Sequence, residues 1–161
     1  MKMINKLNGL LVLMFVGIIS YSCDQEKTML FDTDGSVYFT TSDYSYSFLD
    51  YPGKETDTIK CPIQIFGKPS DTERYVEAEL VTDDTSKVNT APEGLYRILG
   101  GVVPADAQLG YVSVELKHAD ELKDTVYVFH IRIVPNDDFK DVSYNNRIVA
   151  IQFTAKEIQP A

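Results

Sequence analysis

TVYVFHIRIV, residues Thr125 to Val134, follows a period of two, clearest from Phe129 onward. Tyr127, Phe129, Ile131 and Ile133 fall on one side and His130 and Arg132 on the other, which is the period of a strand and not of a helix. Four further stretches repeat it. YVSVELK sets Val112, Val114 and Leu116 against Ser113, Glu115 and Lys117, and RYVEAELVT sets Val76, Ala78 and Leu80 against Glu77 and Glu79. DTIKCPIQIFG lines up Ile59, Cys61, Ile63 and Ile65, and RIVAIQFT (Arg147 to Thr154) closes the series. Upstream, SVYFTT (Ser36 to Thr41) and YSYSFLD (Tyr44 to Asp50) are rich in β-formers and end at a Tyr51-Pro52-Gly53 turn. No segment of ten or more residues has helical spacing. Seven or so strands separated by turns predict an all-β, immunoglobulin-like antiparallel sandwich over 36–161. An up-and-down barrel is the rival, and clean alternation favours two packed sheets, each with one wet face.

Ahead of that domain the chain changes character. Lys2 and Lys6 make a basic start, Leu10 to Ile19 an apolar run, and Ser20 and Ser22 a small-residue ending. Residues 1–22 therefore read as a secretory signal peptide, because a membrane-spanning helix needs about 20 apolar residues. A small residue before Cys23 resembles a bacterial lipobox. Ser20 departs from its usual leucine, a position that Bacteroidota lipoproteins relax. Cys23 is thus the expected lipidation site, with 23–35 an acylated cysteine and flexible tether. Twelve extended residues reach about 40 Å. The expected location is the outer membrane, lipid-anchored, with DQEK a poor export signal that leaves the facing side open.

Charge narrows the partners. The chain carries 15 basic and 24 acidic residues, and the leader holds two of the basic ones, so the processed chain has a net charge of −11. That balance repels nucleic-acid phosphates and anionic lipid, which leaves the acyl anchor as the membrane contact. Of the two cysteines, Cys61 has no partner once Cys23 is acylated, and its place on an apolar stripe makes it a small buried hydrophobe.

Candidate chemistry is sparse. FDTDGS echoes an EF-hand opening but brings glycine after only two acids, so it reads as a turn. Asp83-Asp84 and Asp137-Asp138 would bind Ca²⁺ if they met at one end of the sandwich, solvated turn acids being the plainer reading. His118 lies in a loop and His130 on a wetter strand face, Asp71 and Glu73 flank a loop, and neither HExxH nor GxSxG occurs. No catalytic residue, cofactor or resident metal is expected. For ligand binding there is no Trp, but there are ten Tyr. Tyr44, Tyr46 and Phe48 share one strand face with Tyr51 near its end, suited either to a polar-rimmed ligand or to the core.

Half the chain, from Asp57-Thr58 to the long strand after Leu122, resembles a Bacteroidota lipoprotein family, the domain of unknown function 4843. The resemblance rests on Gly67, Arg74, Thr90-Ala91, Glu93-Gly94, Tyr96, Val103-Pro104-Ala105 and Gly110, and extends to Calx-β and other immunoglobulin-like sandwiches. Two departures stand out: Leu95 joins Gly94 directly to Tyr96, and many members run on past the last strand. The resemblance implies a sandwich often encoded beside outer-membrane glycan or nutrient import systems, and no catalytic residues. The expected function is a non-catalytic accessory module that binds a glycan or a partner of an outer-membrane transporter complex. The alternative is a structural or adhesive subunit assembling by strand augmentation.

Overall fold

The computed structural model describes residues 35–156; Cys23, the leader and nearly all of the tether lie outside them. Eight strands follow in chain order: β1 (Ser36–Phe39), β2 (Asp43–Ser47), β3 (Thr56–Phe66), β4 (Arg74–Leu80), β5 (Tyr96–Val103), β6 (Leu109–Lys117), β7 (Tyr127–Val134) and β8 (Ile148–Thr154). They hydrogen-bond in the order β1-β3-β6-β5-β4-β7-β8-β2.

The sheet curls into a sandwich at β4. Arg74 to Val76 pair with β5, while Glu77 to Leu80 pair with β7, so one strand serves both layers. The inward stripes then meet in one core. Ile59, Cys61, Ile63, Ile65, Val112, Val114 and Leu116 come from the first layer, and Phe129, Ile131, Ile133, Val149, Ile151 and Phe153 from the second. Burying one such side chain contributes about 1.5–3 kcal/mol. Phe129 sits at the junction, stacked on Tyr96 with ring centroids 4.1 Å apart and edge-on to Phe153 at 6.0 Å.

Three expectations need correction. The described residues hold eight strands, because Tyr96–Val103 is a strand that alternation hides: Gly100 and Gly101 interrupt it, and its register shifts between Ile98 and Gly100. The second predicted strand stops at Ser47, whose hydroxyl accepts the Leu49 N–H and starts a 3-10 turn over Phe48–Asp50. The sheet is not wholly antiparallel, since β2 runs parallel to β8. β1 and β2 are consecutive pieces of one N-terminal stretch that crosses from the first layer to the second.

The long connection from β4 to β5 is held by side chains. Asn89 donates to the Val81 carbonyl at 2.7 Å and accepts the His130 N–H at 2.8 Å, and Thr90 Oγ1 accepts the Val128 N–H at 2.9 Å. The segment thus continues the pairing along β7 where β4 has ended. Near that end of β7, Thr154 is the buried polar residue among those described, and its hydroxyl is satisfied by the Leu122 and Thr125 carbonyls at 3.1 and 2.9 Å.

Candidate functional site

The predicted tyrosines assemble at one end of the sandwich but divide between core and surface. Tyr46 is 9% exposed and belongs to the core, while Tyr51 is 47% exposed. The two rings stack at 5.6 Å and 7°, and Phe48 meets Tyr46 edge-on at 4.9 Å. Tyr44 packs against the core from the same strand. A cleft of about 260 Å³ opens beside Phe48, Tyr51, Lys54 and His118. Its lysines are paired locally. Lys54 pairs with Asp57 at 2.8 Å and lies 4.7 Å from the centroid of the Tyr51 ring, whose neighbour is Tyr46. Lys123, at the rim, pairs with Asp120 at 2.8 Å.

The acidic pairs do not come together. Asp83 clasps the Arg132 guanidinium through both carboxylate oxygens at 2.8 and 2.7 Å, which holds its carboxyl below the usual range. Asp84 accepts the Ser86 hydroxyl and N–H at 2.6 and 2.9 Å. Asp138, the neighbour of Asp137, accepts the Tyr75 N–H at 2.7 Å, at the other end of β4 from Asp83. Among the described residues no group of three His, Cys, Asp or Glu is placed to hold a metal ion. His118 meets Phe48 edge-on at 5.4 Å, and His130 is tied to Asn89, with burial pushing its pKa down.

The outer face of the first layer holds what the sequence reading passed over. Register puts Tyr75, Val102, Tyr111 and Pro62 in one cross-strand row on four adjacent strands. Leu109, Gln64 and Tyr38 form the next row, and Phe66 stands opposite Ser36 beyond it. Neighbouring strands are about 4.8 Å apart, so the first row spans about 14 Å. Tyr75 and Leu109 are each 62% exposed and Phe66 56%. Charges lie beside them: Lys60 rests 4.2 Å above the centre of Tyr111, and the Glu73 carboxylate faces the Tyr75 hydroxyl and pushes its pKa up. The signal was present in the sequence. Phe66, Tyr75 and Tyr111 occupy the outward phase of their strands, where a solvated sheet would carry polar residues.

At the edge of this face a groove of about 390 Å³ runs between β1 and the loop before β8, lined by Ser36, Tyr38, Phe66, Ser143, Asn145 and Asn146. The loop is clamped to β1 by the backbone. The Phe39 N–H donates to the Asn146 carbonyl at 2.8 Å, and the Ser143 N–H to the Val37 carbonyl at 3.2 Å. Tyr144, 80% exposed, stands beside it with the Arg147 guanidinium 5.1 Å from its ring centre.

The family described as Domain of unknown function (DUF4843) matches residues 23–161. By sequence, none of the curated proteins is a match. Among solved structures, the chain is similar to a candidate carbohydrate-binding protein of Bacteroides ovatus, with a TM-score of 0.55 and 12% identity over 76% of this chain and 37% of that one. It is also similar to a two-domain protein of unknown function from Bacteroides fragilis, with a TM-score of 0.52 and 14% identity over 77% of this chain and 46% of that one. The chain thus spans less than half of either protein, and at these identities the likeness is one of fold.

Proposed function

We propose that this chain, which belongs to the DUF4843 family, is a non-catalytic carbohydrate-binding module held at the outer membrane by an acyl chain on Cys23. The observation that carries the reading is the outer face of the first layer. A water-facing sheet that shows Tyr75 and Leu109 leaves apolar area uncovered, and apolar patches rimmed by polar groups mark interaction surfaces. Ring faces suit the C–H faces of pyranose rings, and tyrosine adds a hydroxyl for the sugar's own. A domain as acidic as this one would draw a basic protein partner elsewhere, because the charges on this face are already held: Lys60 lies over Tyr111, Arg97 pairs with Glu115, and Glu73 faces the Tyr75 hydroxyl. The name of the Bacteroides ovatus neighbour points the same way.

Affinity electrophoresis of the purified protein through gels containing plant and microbial polysaccharides tests this. The expected result is retardation by at least one glycan, relieved by Tyr75→Ala. Unretarded migration in every gel overturns the carbohydrate reading, and so does hydrolysis of a glycan abolished by one substitution. For the anchor, the native protein partitions into detergent and Cys23→Ser moves it to the aqueous phase. A native protein that stays aqueous overturns it.

A further inference from the structure

We infer that the groove between β1 and the Ser143–Asn146 loop is a sugar subsite selective for uncharged units, so that the ligand is a neutral polysaccharide. This rests on the carbohydrate reading above, and it concerns a place that the aromatic face alone does not define. Tyr38 and Phe66 line the groove and also belong to the rows of that face, so a chain laid along the face enters the groove without leaving aromatic contact.

The lining chemistry sets the class. Its six residues contribute two carboxamides, three hydroxyls and two aromatic rings, and no formal charge, in a chain whose processed form carries −11. Each carboxamide presents a donor pair and an acceptor, and each hydroxyl presents both roles, as the hydroxyls of a sugar do. A uronate or sulfated sugar would need a cation to offset loss of its hydration. Arg147, next to the loop in sequence, is turned onto the Tyr144 ring and lines no part of the groove.

The groove is also built to hold its shape. Val37 and Val142 form a parallel bridge, and the two backbone hydrogen bonds to Asn146 and from Ser143 fix the loop along β1. The positions of Asn145 and Asn146 are therefore set by main chain, while their side chains remain exposed. Such preorganisation reduces the ordering cost of binding.

The test compares the purified protein with the double variant Asn145→Ala/Asn146→Ala and with Tyr75→Ala. Each is run in gels of neutral glucan, xylan and mannan and of acidic polygalacturonate and alginate, with thermal melts confirming that the variants fold. The expected result is retention by a neutral chain and not by the acidic ones, insensitive to salt. The double variant then loses about ten-fold in affinity, the scale of one or two lost hydrogen bonds. Tighter, salt-sensitive retention by an acidic chain overturns the inference. It falls too if the double variant binds as the parent does while Tyr75→Ala is impaired, which would leave the aromatic-face reading standing. Failure of the parent to bind any polysaccharide overturns both.

Discussion

The Tyr46 hydroxyl donates a 2.6 Å hydrogen bond to Asp57 Oδ2, the oxygen that also takes Lys54 Nζ at 2.8 Å. A strand of the second layer is thereby pinned to a strand of the first at the end of the sandwich where the chain crosses between them. Hydrogen bonds to a charged group contribute about 1.5–3 kcal/mol. Tyr46→Phe keeps the ring contacts and is expected to lower unfolding stability by that amount at pH 7, measured by urea denaturation.

The same contact has a pH signature. The Lys54 and Tyr46 hydrogen bonds hold the Asp57 carboxyl below its ordinary value, so its folded pKa lies under the unfolded one of about 3.9. Its stabilisation is therefore complete above that unfolded value and is lost as pH falls through the folded one. The gap between parent and Tyr46→Phe should be full at neutral pH and narrow in acid. A gap that widens in acid would contradict the assignment.

Gly101 faces inward on β5, where a Cβ would stand 2.6 Å from the Tyr111 carbonyl and 2.9 Å from Val112 Cγ2. Gly101→Ala is expected to cost about 1–3 kcal/mol through overpacking. Gly53→Ala is the companion test: its φ of +85° is strained for alanine, yet nothing lies within 4 Å of the added atom. It should cost about 1–2 kcal/mol from backbone strain alone. The two losses are read from denaturation curves.

Cys61 is fully buried, and burial pushes its thiol up to about 12. It should ignore a thiol reagent at pH 8 in the native state and react at once on denaturation, because the thiolate is the nucleophile. That silence makes a count of native thiols informative about Cys23. An acylated protein gives none, and a bare Cys23 gives one.

Arg132 bridges Glu79 and Asp83, whose side chains are 48% and 60% exposed. Ion pairs of that exposure are largely screened by water and weaken further with salt. Arg132→Gln should therefore shift the melting temperature little, and less at high ionic strength. With Asp83 committed to Arg132 and Asp138 to the far end of β4, millimolar Ca²⁺ should leave the melting temperature unchanged. A rise abolished by Asp83→Asn would show that a calcium site forms.

Much of this was legible in the chain, and the exceptions have causes. The inward stripes of β3, β6 and β7 read directly, because period two sorts a strand's residues between faces. β5 did not read, since its paired glycines and bulge leave no alternation to see. Tyr46 shows the limit of that rule: alternation put it on a face with Tyr44 and Phe48, and only the pairing of β2 with β8 made that face dry. Phe66, Tyr75 and Tyr111 were visible as large side chains in the outward phase, but nothing local said that they share a surface.

For β3, β6 and β7, strand identity and the composition of the core stripe are thus properties of the sequence by itself, because both arise from the conformation of neighbouring residues. The split of β4 between two layers, the parallel seating of β2 beside β8, and the meeting of Tyr75, Tyr111 and Tyr38 on one face belong to the tertiary structure. These depend on which distant strands pair and in what register, and that choice is made by burying all the inward stripes at once.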